Sequence, residues 1–373
     1  MASSSSPPTK TIRKALISSF STDPSDVSNL SVVSAPAPQP PTKNEIQVRV
    51  LYAGFSGADI NMARGTYPLQ RKAPFTPGYS LVGTVIAVGD DNHRHRFQPG
   101  DFVTAVTTYD AQAELVNVPR QLAIPVPSEL CTHASDALLR QVTAMALDWN
   151  TAYGMVSRAA NVQAGHVVFI HGLSGAVGQA LLSLCLMRGA HVYGTASSRN
   201  HAALLSAGVK GVFEYTSKEW ISTMQATSGG VDAVFDALGF ESWDESYSIL
   251  SSERGGVLVG YGGNQGALDG EKKQRKPWLY IVKLLVRGAV GEISKFLTGR
   301  GKTTRFYYIR PGTERCESDM VSLMELLKEG TIEVPIKGCW NLDTEGLREA
   351  HQSWGKMDGM GSLLIKVTGE KKL

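Results

Sequence analysis

Seven residues, Gly172-Leu173-Ser174-Gly175-Ala176-Val177-Gly178, join the apolar run Val167-Val168-Phe169-Ile170-His171 to a stretch of helical periodicity from Val177 to Met187. Glycine lets a backbone turn sharply and approach a diphosphate without a Cβ in the way. The N-terminus of the following helix then offers free N–H groups and the positive end of its dipole. The chemistry this spacing suits is dinucleotide binding, with Ser174, Gly175, Ala176 and Val177 around the phosphates. The bland alternative is an ordinary tight strand-to-helix turn. A second strand, His191 to Thr195, runs into Ala196-Ser197-Ser198-Arg199. An NAD site places a carboxylate about 20 residues beyond the glycines, for the ribose 2′-hydroxyl. No Asp or Glu occurs between Gly178 and Val212. Ser197, Ser198 and the Arg199 guanidinium suit a 2′-phosphate instead, so NADPH is the expected cofactor. The other reading of Arg199 is a solvated cation at a helix start.

Such a cradle needs a parallel sheet to hold it, and the chain supplies one. After Gly165, short apolar runs alternate with helical stretches: Gly211 to Tyr215, Ala233 to Ala237 and Gly256 to Tyr261 are further strands, and Asn200 to Ser206 opens a helix. That alternation predicts a doubly wound α/β sheet. The first third reads differently. Glu45 to Ala53 alternates polar and apolar residues, and Tyr79 to Val88 and Phe102 to Val106 are β-branched runs punctuated by Gly83, Gly89 and Pro99-Gly100. Ala134 to Met155 looks helical. Past about Arg305 the pattern is mixed again, with a helix near Ser318 to Lys328 and a strand from Ser362 to Val367. We therefore expect a discontinuous β-rich domain, residues 11–155 and 306–373, with the dinucleotide-binding domain, residues 156–305, inserted in it.

Composition limits the alternatives. The 373 residues are 42% hydrophobic and 19% charged, a globular balance with room for two domains. A net charge of +3 is too small to make nucleic acid the main partner. The four cysteines, Cys131, Cys185, Cys316 and Cys339, form no C-x-x-C pair, which argues against a zinc knuckle or a disulfide scaffold and suits a reducing, cytoplasmic setting. No apolar run reaches the roughly 18 residues that cross a bilayer. Residues 1–10 read as a Ser/Pro-rich disordered tail. Thr11 to Ser19 is basic and reads as a first strand rather than a transit peptide, and the terminal Lys-Lys-Leu only weakly matches a peroxisomal address.

Several segments resemble the medium-chain dehydrogenase/reductase superfamily. They are Gly54-Phe55-Ser56-Gly57-Ala58-Asp59 with Arg64-Gly65-Thr66-Tyr67-Pro68, Pro74-Phe75-Thr76-Pro77-Gly78-Tyr79-Ser80, Val82-Gly83-Thr84-Val85, Asn150-Thr151-Ala152-Tyr153, Gly194 to Ser198, and Gly230-Val231-Asp232-Ala233-Val234-Phe235-Asp236-Ala237-Leu238-Gly239. They cover nearly the whole chain in order. The likeness is nearest to the zinc-independent quinone oxidoreductase and enoyl reductase branch, including reductases like the vesicle amine transport protein. It implies a Rossmann domain inserted in a GroES-like one. Zinc-dependent members carry Cys where this chain has Ser56 and Gly-His-Glu where it has Gly78-Tyr79-Ser80, so no metal is expected. The resemblance implies hydride transfer from NADPH to a small molecule, either a carbonyl-conjugated double bond or a quinone.

It also implies that Thr151 and Ala152 lie near the nicotinamide, that Tyr215 packs by the adenosine 2′-phosphate, and that Leu238 and Tyr261 sit in loops beside the cofactor. Substrate-side candidates are Ser56, Asp59, Tyr67, Tyr79 and Tyr109. A tyrosine there donates a proton or a hydrogen bond to an enolate, or simply packs a wall. Trp149 is expected to narrow the pocket. The chain is read as a homodimer or a monomer.

One segment stands apart. Residues 271–310 hold eleven Lys/Arg against two acids, a net +9 that leaves −6 for the rest. Within it Trp278, Val282, Leu285, Ala289, Ile293 and Phe296 share one helical face. Such a helix suits an anionic membrane surface or the cover of a pocket, and the packed, inward orientation is the one expected. Two readings of function follow: an NADPH-dependent reductase, or a membrane-surface or lipid-binding protein on a reductase fold with little activity.

Overall fold

The computed structural model describes residues 10–23, 25–68, 70–89, 96–131, 136–227, 229–270 and 278–368. The expected N-terminal tail up to Thr9 and the Lys-Lys-Leu end lie outside the described residues.

Val167–Ile170 is buried throughout, as a strand covered by helices on both faces must be. It pairs in parallel with His191–Ala196 on one side and Ala233–Asp236 on the other. Gly211–Glu214 lies beyond the former; Val257–Gly260 and then Thr303–Phe306 lie beyond the latter. Counted along the chain, the six parallel strands stand in the order third, second, first, fourth, fifth, sixth. The order reverses between Val167–Ile170 and Ala233–Asp236, and crevices for ligands form outside the strand ends at such a switch point.

Glu45–Phe55 is the spine of the β-rich unit. Its inward residues Ile46, Val48 and Val50 are buried, and it pairs antiparallel with Ser80–Val88, Leu115–Pro119 and Ser362–Lys366. The C-terminal chain thus returns to the first unit, which makes that unit discontinuous with the Rossmann sheet inserted. Thr11–Ile17 pairs with Leu30–Pro36, so this basic stretch is a strand.

Three features depart from the sequence reading. The parallel sheet runs to Phe306, one residue past the expected boundary. The helix Glu314–Lys328 buries Met320, Leu323 and Leu327 in a cluster shared by the two units, with Val168 and Ile170 from the parallel sheet and Leu51, Val82 and Leu364 from the β-rich unit. The helical run from Asp136 to Ala159 is interrupted by two π-turns, Met145–Trp149 and Met155–Ala159. Each wide turn shifts the helical phase.

A fourth departure is the helix Trp278–Thr298. It packs on Thr303–Phe306 through Leu284, Gly288 and Gly291. A Cβ on Gly288 would collide with the Thr304 carbonyl oxygen, and one on Gly291 with that of Lys302. The stripe expected to face inward lies on the other side: Trp278, Val282, Leu285, Ile293 and Phe296 are 50 to 89% exposed. The inward orientation is therefore corrected. The glycines let the helix backbone press against the sheet edge, and that close approach fixes which face turns inward.

Candidate active site

A cavity of about 720 Å³ opens between the two units and runs from the glycine loop to the β-rich half. At one end, Gly172 takes the left-handed conformation (φ 72°) that the tight turn requires. Gly178 packs the helix Ala176–Met187 against the turn; a Cβ there would collide with the Gly172 carbonyl. Gly175 is the helix N-cap, with φ −77°. A Cβ on it would meet only the Gly172 oxygen at 3.3 Å, so the space before it is open. No side chain caps this helix and no acid sits in its first turn. Its first-turn N–H groups keep their capacity for an anion. Ser174, Gly175, Ala176 and Val177 all line the cavity, so the cradle fits a diphosphate.

Ser197, Arg199 and Tyr215 line the same cavity further along. Arg199 donates to the Met357 carbonyl at 2.9 Å and pairs with Asp358 at 3.2 Å. Ser198 turns its N–H toward the Glu214 carboxylate at 2.7 Å and is not part of the lining. Lys337, from the β-rich unit, joins the lining. Burial, then the charge of Arg199, pulls its ammonium pKa down. Nothing local in the sequence marks Lys337, because the strand Ile336–Asn341 reaches this place only through the tertiary fold.

Below the cradle, His171 and Asp236 end two adjacent strands. Asp236 accepts hydrogen bonds from Ser242 and Ser246 at 2.7 Å each and from the Leu238 N–H at 2.7 Å. His171 Nε2 is 3.0 Å from Ser246 Oγ, and burial keeps its pKa low. Leu238, Tyr261 and Thr151 line the middle of the cavity.

The other end is walled by Ser56, Tyr67, Tyr79 and Asp148. Ser56 caps the helix Gly57–Arg64 by accepting from the Ala58 N–H at 3.2 Å, while Asp59 accepts the Ser56 N–H at 3.0 Å and the Gln112 amide at 3.0 Å. Burial pushes the Asp59 carboxyl up to about 7, against the pull of those backbone bonds. Asp148 accepts from the Ser362 hydroxyl at 3.2 Å, and burial pushes it to about 7 as well. Burial, then the charges of Asp148 and Asp59, lifts the Tyr79 hydroxyl well above its usual pKa. Tyr67 is raised chiefly by burial, and its hydroxyl stands 3.5 Å from that of Tyr308. The two tyrosines hold their protons at neutral pH, while the two carboxyls exchange theirs near pH 7.

Tyr109 stands behind this wall. Its ring meets Tyr67 edge-on with centroids 6.2 Å apart, its hydroxyl accepts the Arg71 N–H at 3.1 Å, and it is not part of the lining. Trp149 is 1% exposed and belongs to the core, so it does not narrow the pocket; its neighbour Asp148 faces the cavity instead. Asp148 escaped the sequence reading although a signal was present: a lone acid in the apolar run Ala144-Met145-Ala146-Leu147-Asp148-Trp149, three residues before Thr151. Asn264 was also missed. Its Oδ1 accepts from the Asn61 amide at 3.0 Å and ties the two units together beside the cavity.

Among the described residues no group of three His, Cys, Asp or Glu side chains is placed to hold a metal ion, and no helix is long and apolar enough to cross a membrane. The family model for the alcohol dehydrogenase GroES-like domain matches residues 42–171, and that for zinc-binding dehydrogenases matches residues 176–289. A probable quinone oxidoreductase of Schizosaccharomyces pombe is 30% identical over 257 residues, 68% of this chain and 73% of that protein. The human synaptic vesicle membrane protein VAT-1 homolog is 27% identical over 345 residues, 90% of this chain and 82% of that one. The structure of the Escherichia coli quinone oxidoreductase complexed with NADPH superposes with a TM-score of 0.75 at 20% identity, covering 95% of this chain and 99% of the other. With both family models matched along the chain and a quinone oxidoreductase 30% identical over 68% of it, the chain belongs to the medium-chain dehydrogenase/reductase superfamily.

Proposed function

We propose that the chain is an NADPH-dependent reductase that delivers hydride to the activated C=C of an enone or enoyl compound, or to a quinone, without zinc. The observation that carries this reading is one continuous cavity with an anion cradle at one end and buried, proton-bearing side chains at the other. When bound, NADPH supplies the hydride. The chain's own part is to bind, orient and hold protons. Gly175, Ala176 and Val177 offer backbone N–H groups to the diphosphate. Arg199, Lys337 and Ser197 gather where a 2′-phosphate would be met. The solvent-exposed Arg199–Asp358 pair is a weak competitor for that phosphate. Thr151, Leu238 and Tyr261 border the middle of the cavity, where the nicotinamide of relatives of this fold would lie.

At the far end, Tyr79 and Asp148 keep protons that a developing enolate or quinol oxygen can receive. The apolar walls around them exclude water and strengthen such hydrogen bonds. Ser56, Tyr79 and Ser80 occupy the zinc-ligand positions of metal-dependent relatives, and a serine hydroxyl or tyrosine is a poor ligand for zinc. The test is oxidation of NADPH and of NADH by the chelator-treated protein with a panel of quinones and enones. Turnover with NADPH and at least one acceptor supports the reading. A requirement for added zinc, or no turnover with any acceptor despite tight NADPH binding, would sink it.

A further inference from the structure

The helix Trp278–Thr298 turns its apolar side away from the protein. Nine large apolar side chains on it are at least half exposed; Leu279, Val286, Val290 and Leu297 widen the stripe already named. At 100° per residue these nine span about 140° of the helix, and no polar residue falls inside that arc. The buried line, Leu284, Gly288 and Gly291, lies on the opposite side. A surface helix of a soluble protein normally shows the reverse, with its apolar stripe on the core. The arc is about 30 Å long, far more apolar surface than a solvated face tolerates without a partner.

We propose that this face docks on an anionic membrane surface, with the helix lying in the plane of the interface. Three observations select a bilayer over a second copy of the chain. The first is charge. Between Trp278 and Arg310 there are seven Lys/Arg and one acid. Among the described residues, the carboxylates that reach these cations are Asp244 for Lys283 and Arg287, Glu253 for Arg300 and Glu292 for Arg305, so cations outnumber acids by seven to three. Two copies meeting through this region would bring like charges together, whereas anionic headgroups neutralise them. The second is placement. Lys283 and Arg287 border the apolar arc on one side, where headgroups stand when such a face sinks into the acyl boundary. The third is how little the arc offers for hydrogen bonding: the indole N–H of Trp278, at one end, is its single side-chain donor, and it has no side-chain acceptor. A protein partner ordinarily brings about one hydrogen bond per 100–200 Å² of interface, whereas an indole N–H at the border of an apolar face suits the headgroup level of a bilayer. Ile281, on the first turns of the same helix, lines the active-site cavity, so docking brings that cavity to the membrane surface.

The test needs neither cofactor nor turnover, so its outcome is separate from that of the reductase reading. The full chain is sedimented with vesicles of phosphatidylcholine containing phosphatidylserine, and with phosphatidylcholine alone, at low and at physiological salt. The expected result is binding to the anionic vesicles, weakened by salt, and lowered at least about tenfold in a Val290→Glu/Ile293→Glu double variant whose thermal midpoint is unchanged. Wild-type protein left in the supernatant of both vesicle types would overturn the proposal. So would a wild-type dimer in solution that the double variant converts to monomer, which would assign the face to a second copy. Should the double variant fail to fold, wild-type tryptophan emission decides. A blue shift on adding anionic vesicles, removed by Trp278→Phe, supports docking; no shift overturns it.

Discussion

At the glycine end of the cavity, the groups offered to a ligand are mostly backbone N–H groups from seven consecutive residues, held by one strand and one helix. At the Tyr79 end they are side chains drawn from positions 56, 67, 79 and 148, set on a helix cap, a loop, a strand edge and a π-turn. In the proposed function the first end meets a diphosphate, which is alike in every dinucleotide, and needs no side chain to do so. The second must suit one substrate, and its polar groups are tuned by burial rather than by sequence spacing. Substitutions at the two ends should therefore fail in different ways.

The largest effect is expected from Gly175→Val. Its φ is acceptable to any residue, so the fold persists, while the isopropyl group enters the open space before the helix. NADPH binding measured by calorimetry should fall by about 100-fold or more. Normal binding would remove the loop from the cofactor site and erase the contrast between the two ends. Next comes Asp148→Asn, which keeps the shape and removes the proton. Turnover with a model acceptor should drop about 100-fold with NADPH affinity intact, and any alkaline limb with an apparent pKa near 7 should vanish from the pH profile. Loss of affinity instead of turnover would place Asp148 in the cofactor's share of the cavity.

Arg199→Ala should weaken NADPH by about 10- to 100-fold and leave NADH nearly unchanged, the cost of a charge-assisted phosphate contact being about 1.5–3 kcal/mol. Equal losses for both cofactors would show that Arg199 serves the loop at Met357 and Asp358 and not a 2′-phosphate. The smallest effect concerns stability. The folded state holds the Asp148 proton to about 7, whereas an unfolded chain releases it near 4. The stabilisation this gives is complete below about pH 4 and is lost as pH rises through 7. Relative to wild type, D148N should therefore gain about 2–4 °C in Tm between pH 4 and pH 8. A constant difference across that range would mean that the carboxyl is ionised in the fold.

How legible each end was follows from the same contrast. The geometry of the cradle could be read because it resides in consecutive residues: Gly172, Gly175 and Gly178 each have a backbone reason that spacing alone reveals. The place of Arg199 on the cavity wall could be read because it sits at a fixed distance along the chain from them. Lys337 could not, since it arrives from a strand more than 130 residues away. In the sequence, adjacency to Asn150-Thr151 places Trp149 at the pocket, whereas the π-turn Met145–Trp149 buries it in the core and brings its neighbour Asp148 to the cavity. The outer helix was misjudged for a related reason. Its apolar stripe was easy to see, but Gly288 and Gly291, which set the packed face, carry no hydrophobic signal.

The return of the last strand to the first unit also sets a timetable for synthesis. Ser362–Lys366 pairs with Glu45–Phe55, and the Thr368 hydroxyl donates to the Val50 carbonyl across 318 residues. At about 5–20 residues per second, a ribosome needs about 15–60 s to supply that partner after Val50 is made. During that interval one edge of the spine strand is open, while the parallel sheet, contained within residues 167–306, has all its strands well before the chain ends. Nascent chains stalled or cut before residue 362 should then present an assembled dinucleotide-binding unit beside an unclosed β-sheet, the species from which aggregation of this protein would start.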